Sequence, residues 1–171
     1  MNIDKIPVGN NVPFDINVII EIPAHSLPVK YEFDKESGAV FVDRFLGTSM
    51  HYPANYGFIP HTLANDGDPL DCLVITKHPL IHGCVINVKP IGIIIMEDEK
   101  GLDEKVIAVP TSKLDKHYEN INNIEDLPIH FIQEVIHFFE RYKDLEKGKW
   151  VKIIDTKSSQ DAMEIIKKYI I

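Results

Sequence analysis

Apolar side chains gather in short runs over the first two thirds of the chain, at 16–22, 29–33, 40–45, 72–76, 85–96 and 106–109. Runs of this length, rich in β-branched and aromatic residues, predict strands. Pro and Gly separate most of them, and no helical period intervenes. The pattern therefore predicts an antiparallel sheet closed into a small barrel rather than alternating βαβ units. The last third changes period. Leu127, Phe131, Val135, Phe138, Tyr142 and Leu145 step by three or four, which predicts an amphipathic helix over about 128–146, with Pro128 in its first turn and Gly148 closing it. Strand character returns at 150–154. Ser158 and Asp161 then have the spacing of a capping box opening a terminal helix over about 159–170, which carries Met163, Ile166 and Ile170. The segment 46–69, dense in Tyr, Pro, Asn, Gly and Asp, is too polar and punctuated for a core strand and is expected to be an ordered loop of the kind that holds function.

Composition narrows the classes. A chain of 171 residues, 44% hydrophobic and 26% charged, has the size of one globular domain spanning 1–171. Its formal charge of -8 repels a nucleic-acid backbone, so no broad nucleic-acid surface is expected. The longest nearly unbroken apolar stretch, 91–96, is too short to span a bilayer, and residues 1–14 have no apolar run after a basic start. A soluble, cytoplasmic protein without membrane contact is expected. Cys72 and Cys84 sit in no CxxC pair and beside no histidine at metal-ligand spacing, so both are read as small apolar residues in a reducing compartment.

The chemistry concentrates in Asp66-Gly67-Asp68-Pro69-Leu70-Asp71, three carboxylates within six residues on a turn sequence. Short oxygen ligands on a tight turn suit a hard divalent cation. A calcium loop of the EF-hand type fails, because Leu70 takes its fifth position and Lys77 its twelfth. An ordinary turn remains an alternative reading of these residues alone. Glu97-Asp98-Glu99 with Asp103 form a second acidic group, readable also as a solvated hairpin tip. Lys30, Arg44, Lys105 and Lys143 lie in or beside apolar elements, and Tyr52, Tyr56 and Tyr142 offer phenols able to donate to phosphate oxygens. Each taken singly also fits a surface side chain. Glu21 and Glu32 interrupt apolar runs, where a buried carboxylate needs a partner or a metal, although strand alternation also permits them to face water.

Together these residues resemble the family I soluble inorganic pyrophosphatases of bacterial type. The Asp66–Asp71 motif matches the family signature, and Glu21-Ile22-Pro23, Lys30-Tyr31-Glu32, Val42-Asp43-Arg44, the run from Tyr52 through Phe58, Val109-Pro110, and His137 through Lys143 follow in the family's order. The resemblance covers nearly the whole chain and thins after Asp155. It implies a closed five-stranded OB-like barrel with flanking helices, a mainly β fold with α. It also implies that Asp66, Asp71, Asp103 and Asp98 ligate metals, with Glu21 and Glu32 holding outer ones. Asp68 would orient or deprotonate the attacking water, and Lys30, Arg44, Lys105, Lys143, Tyr56 and Tyr142 would bind the two phosphoryl groups. The implied reaction is hydrolysis of pyrophosphate to two phosphates with several Mg²⁺ ions, Mn²⁺ being a substitute, in a homohexamer. His137, Arg141 and Asp144 form a polar stripe suited to a subunit contact, with Arg141 standing where many bacterial relatives carry a histidine. Two rival classes are a non-catalytic OB-fold module binding polyphosphate or single strands, and a metal-dependent phosphomonoesterase. The acid excess disfavours the first, and comparing pyrophosphate with a simple phosphate ester separates the second.

Overall fold

Strand pairing closes the sheet on itself. In the computed structural model, which describes residues 2–171, the strands are β1 (Ile16–Ile22), β2 (Val29–Phe33), β3 (Val40–Phe45), β4 (Asn55–Phe58), β5 (Asp71–Val74), β6 (Val85–Asp98), β7 (Gly101–Pro110) and β8 (Val151–Ser158), with helices α1 (Ile129–Arg141) and α2 (Ser159–Tyr169). Hydrogen bonding runs β1-β4-β5-β7-β6 and returns from β6 to β1, a ring of five strands. Only β5 and β7 pair parallel within it. The long strand β6 serves β1 through Val85–Val88 and then β7 and β8, and its register slips between Pro90 and Gly92, where Pro90 has no N–H to give. The β2–β3 hairpin pairs separately.

Alternation along the strands sorts the apolar side chains into two layers. Ile16, Val18, Ile20, Cys72, Val74, Val106 and Ala108 pack with Ala162, Ile166 and Tyr169 of α2. Leu73, Ile94, Met96, Ile107 and Val109 pack with Val135, Phe138 and Phe139 of α1. Ser158 caps α2 by accepting from the Asp161 N–H, and the Asp161 carboxylate accepts from the Ser158 N–H, the reciprocal box that the sequence predicts.

Several expectations change: the strand expected at 106–109 begins at Gly101 and so includes Asp103, that expected at 72–76 is Asp71–Val74, and one pair of the sheet, β5 with β7, is parallel where an antiparallel sheet is expected. The segment 46–69 contains a core strand, β4, all four of whose residues are buried. Its polarity is misleading because Asn55 is satisfied inside: its side chain accepts from the N–H of Ala24 and Leu80 and donates to Val74 O and Thr76 Oγ1. The long helix ends at Arg141 instead of continuing to 146. Beyond it Asp144 N–H reaches back only to Arg141 O, and Glu146 N–H to Lys143 O. This tightening buries the adjacent Tyr142 and Lys143 together and leaves Leu145, which the sequence pattern places on the apolar face, exposed. The strand expected at 150–154 runs instead from Val151 to Ser158 along β6. Cys72 is buried as expected, Cys84 is half-buried, and both are free thiols.

Gly57 lets β4 approach β1: a Cβ there would stand 2.0 Å from Ile19 O and 2.8 Å from Ile19 C. Since the obstacle is backbone, Gly57→Ala must separate the two strands. A loss of about 2 kcal/mol or more is expected in urea denaturation; an unchanged midpoint would contradict the close approach.

Candidate active site

The layer facing α1 is apolar at one end and charged at the other. On β7, Asp103 and Lys105 continue the alternation of Ile107 and Val109, so they share that face. Asp71 of β5 stands in register with Lys105, and Asp98 of β6 continues the row of Ile94 and Met96. Register on the small hairpin sets Lys30 opposite Arg44. The tightened end of α1 delivers Tyr142 and Lys143, and β4 delivers Tyr56. The result is a cavity of about 210 Å³. Its lining includes Glu21, Lys30, Glu32, Arg44, Tyr52, Tyr56, Asp66, Asp68, Asp71, Asp98, Asp103, Lys105, Tyr142 and Lys143. Every residue that the sequence singles out as a candidate ligand, base or phosphate donor thus faces one space.

Within it the charges pair tightly. The Lys105 ammonium, 4% exposed, bridges Asp71 Oδ2 and Asp103 Oδ1, the latter at 2.7 Å. Burial alone would depress its pKa, but Asp71 and Asp103 outweigh burial and raise it, so it stays protonated. Burial pushes the Asp103 carboxyl up, with Lys105 opposing and Asp71 adding to the rise. Lys143 Nζ meets Asp98 Oδ2 at 2.7 Å. Burial would raise the Asp98 carboxyl, yet the bonds from Lys143 and from the Lys100 N–H hold it below the usual range. That pairing distinguishes Asp98 from its neighbours: Glu97 stands in register with Lys152, while Glu99 lies 3.7 Å from Lys143 Nζ at the rim. Lys30 pairs with Glu32 and sits 3.3 Å from Asp43, which also holds Arg44 at 3.0 Å. Arg44 Nε lies 3.2 Å from Glu146 Oε1 without the alignment of a hydrogen bond.

Asp66 and Asp68 are exposed on the loop before β5, where Asp66 Oδ1 accepts from the Asp68 N–H at 3.0 Å. They line the cavity but pair with no lysine among the described residues. Tyr52 and Tyr56 lie with ring centroids 5.3 Å apart. Burial raises both phenols well above their usual pKa, and nearby carboxylates add to it, so both remain hydrogen-bond donors at neutral pH. Sequence reasoning missed Asp43 and Glu146 as partners of the site cations, and Lys149, which lines the cavity 3.5 Å from Glu146 Oε2. Asp43 stands beside Arg44 in a motif quoted for Arg44 alone, whereas Glu146 and Lys149 lie in turns with no periodic signal.

The donor set tests the fit to a metal. Only oxygen-bearing and ammonium or guanidinium groups supply polar atoms to the lining, with no imidazole or thiol among them. Carboxylate oxygens alone suit Mg²⁺ or Mn²⁺ over zinc or copper. Among the described residues no three carboxylate, imidazole or thiol groups converge to hold an ion as they stand. Lysines occupy Asp71, Asp98 and Asp103 instead, so cation binding requires them to yield. The donor chemistry fits, with Asp66, Asp71, Asp98 and Asp103 as the ligands in reach of the cavity and Glu21 and Glu32 at its edge.

Glu21 is buried on β1 and accepts from the Phe33 N–H at 2.7 Å. Burial pushes its carboxyl up from the usual 4.5 to about 8, and that bond only partly offsets the rise. The folded, metal-free protein therefore keeps this proton where an unfolded chain has lost it. Glu21's stabilising contribution is full below pH 4.5 and is lost as pH rises through about 8. Glu21→Gln keeps the acceptor and removes the titration. At pH 9 the metal-free variant is expected to melt ~3 °C or more above the wild type, with no advantage near pH ~5. Calorimetric melting temperatures check this; equal differences at both pH values would contradict it.

Proteins of similar sequence and fold are known. Residues 18–171 match the family described as inorganic pyrophosphatase. The inorganic pyrophosphatase of Rickettsia conorii is 60% identical over 165 residues, covering 95% of each chain, and that of Brucella melitensis is 59% identical over 91% of this chain and 88% of its own. Among solved structures, an inorganic phosphatase from Anaplasma phagocytophilum superposes with a TM-score of 0.95 at 51% identity, covering 97% of both chains. The inorganic pyrophosphatase of Thermus thermophilus gives 0.94 at 45% identity, covering 99% of this chain and 97% of its own. These neighbours carry the same mainly β architecture with two helices that the strand ring builds here. The chain belongs to the inorganic pyrophosphatase family.

Proposed function

We propose that this protein is a hydrolase that cleaves inorganic pyrophosphate to two phosphates in a cavity charged with Mg²⁺, drawing pyrophosphate-releasing syntheses forward. The observation that carries the reading is the convergence of Lys30, Arg44, Lys105 and Lys143 with the buried phenols of Tyr52, Tyr56 and Tyr142 on the same space as the carboxylates of Glu21, Glu32, Asp66, Asp68, Asp71, Asp98 and Asp103. A site for a polyanion alone needs no such acids, and a site for metal alone needs no such cations. Pyrophosphate with divalent ions needs both.

When bound, the divalent ions supply charge that screens the phosphoryl oxygens and makes water a better acid. Asp66, Asp71, Asp98 and Asp103 would hold them, with Glu21 and Glu32 outermost, and Mn²⁺ would substitute. Lys30, Arg44, Lys105 and Lys143 donate to phosphoryl oxygens, and Tyr56 and Tyr142 donate from their phenols. Asp68, free of lysine partners, takes the proton of the attacking water. The water oxygen bonds to one phosphorus as the bridging P–O bond on its far side breaks, and two phosphates leave. Lys105 and Lys143 have double use, holding carboxylates when no metal is present and phosphate when it is.

The setting follows the same reading. Free thiols suit a reducing cytoplasm. No helix among the described residues is long and apolar enough to cross a membrane, and the net charge of -8 disfavours nucleic acid. Assembly as a homohexamer is part of the proposal, supported by Phe41, Val42 and Phe45, which β3 leaves exposed. His137 and the Arg141–Asp144 pair, 3.7 Å apart, supply the exposed polar stripe proposed as a subunit contact. Sedimentation giving a monomer would overturn it.

Phosphate release from pyrophosphate is expected with Mg²⁺, to cease in excess chelator and to return on adding Mg²⁺, while a simple phosphate ester is not cleaved comparably. Undiminished hydrolysis in chelator would contradict the metal requirement. Asp68→Asn is expected to lower kcat ~100-fold or more with folding intact; wild-type turnover would remove Asp68 from proton transfer. Lys30→Ala should raise KM by roughly tenfold, and unchanged kinetics would return it to the surface.

A further inference from the structure

Alternation on β7 sends Glu104 to the face opposite Asp103 and Lys105, toward α2. There Tyr169, the last residue of α2 and 5% exposed, packs with Ile166 and Ala64. Its hydroxyl donates to Glu104 Oε2 at 2.6 Å and accepts from Asn65 Nδ2 at 2.7 Å, with Lys168 Nζ 3.4 Å away. Asn65 immediately precedes Asp66, and Glu104 lies between Asp103 and Lys105. One phenol therefore joins the chain neighbours of the loop carboxylates to those of the strand carboxylates, from behind the sheet.

The main chain reinforces the junction. Leu63 N–H donates to Tyr169 O at 2.8 Å, Ile171 N–H donates to His61 O at 3.1 Å, and Thr62 bridges Ile170. The loop is fastened at its ends by Thr62 and Leu70, both buried, and between them Leu63 is exposed while Ala64 packs into the core. Inside the loop, Ala64 N–H reaches Asp68 O at 2.7 Å and Leu70 N–H reaches Thr62 Oγ1 at 2.9 Å, so displacement of one end carries Asp66 and Asp68 with it.

We propose that Tyr169 is a positioning residue, a clasp that sets the loop bearing Asp66 and Asp68 at its working distance from the carboxylates of β7. It touches neither substrate nor metal. Its effect on turnover rests on the proposed pyrophosphatase reading; its effect on the loop does not.

The test compares Tyr169→Phe, which keeps the buried ring and removes the hydroxyl, with Ser158→Ala, which weakens α2 at its far end without touching the clasp. In metal-free protein, amide hydrogen exchange across 61–70 is expected to quicken about tenfold in Tyr169→Phe and to match wild type in Ser158→Ala. Mn²⁺ affinity by titration calorimetry is expected to fall about fivefold in the first and to hold in the second. With pyrophosphate and Mg²⁺, kcat should fall by about the same factor while KM stays within roughly twofold. Asn65→Ala should reproduce these losses and add nothing to Tyr169→Phe, as two sides of one contact do. Wild-type exchange and Mn²⁺ affinity in Tyr169→Phe, or equal losses in Ser158→Ala, would overturn the clasp. A wild-type protein that releases no phosphate would sink the pyrophosphatase reading alone, since exchange and Mn²⁺ binding still decide the clasp.

Discussion

The site depends on one ammonium group held between two carboxylates. Lys105 is buried, and a buried charge is costly unless its partners are close and its donors are used. Asp71 and Asp103 meet that demand only because β5 and β7 run parallel in the register that sets Asp71 beside Lys105. Break the register by one residue and Lys105 turns to the α2 layer, toward Cys72 and Val74 of β5 and away from Asp71. The ion triad and the strand pairing therefore specify each other.

From that triad the rest of the cavity follows by geometry. The face that carries Lys105 is the one α1 covers, so the end of α1 is where a second cation can reach β6, and Lys143 does so at Asp98. The β2–β3 hairpin adds Lys30 and Arg44 across from one another. Within the cavity Lys105 and Lys143 compensate Asp71, Asp103 and Asp98, which keeps these acids from repelling one another. Divalent ions take over that compensation in the proposed reaction, and the lysines are then left in place with their charge unspent, facing a polyanionic substrate. Neither state requires the scaffold to be remade, only ammonium groups to exchange one set of oxygens for another.

Much of this was legible in the chain. The first three strands have the bounds that the sequence predicts, because each is rich in β-branched and aromatic residues and is followed closely by Pro23, by the charged turn from Asp34 or by Gly47. The capping box at Ser158 was readable because it is local. What escaped is non-local. β4 reads as loop because Asn55 finds its partners at residues 24, 74, 76 and 80, which no window of sequence reveals. The early end of α1 comes from burying Tyr142 and Lys143 side by side, a demand of the cavity rather than of helical period. Tyr169 is not singled out by the sequence, since its partners Asn65 and Glu104 lie 104 and 65 positions away. Composition and spacing single out the candidate residues but leave each with an ordinary alternative; the resemblance assigns their roles.

In the proposed reaction Asp71 and Asp103 exchange Lys105 for divalent cation. A crystal structure with Mn²⁺, read by anomalous scattering, tests it most directly. Anomalous peaks are expected at coordination distance, ~2.2 Å, from the oxygens of Asp71 and Asp103, with the Lys105 ammonium drawn off at least one of them. Peaks confined to sites outside the cavity, with Lys105 still bridging both carboxylates at saturating Mn²⁺, would contradict it.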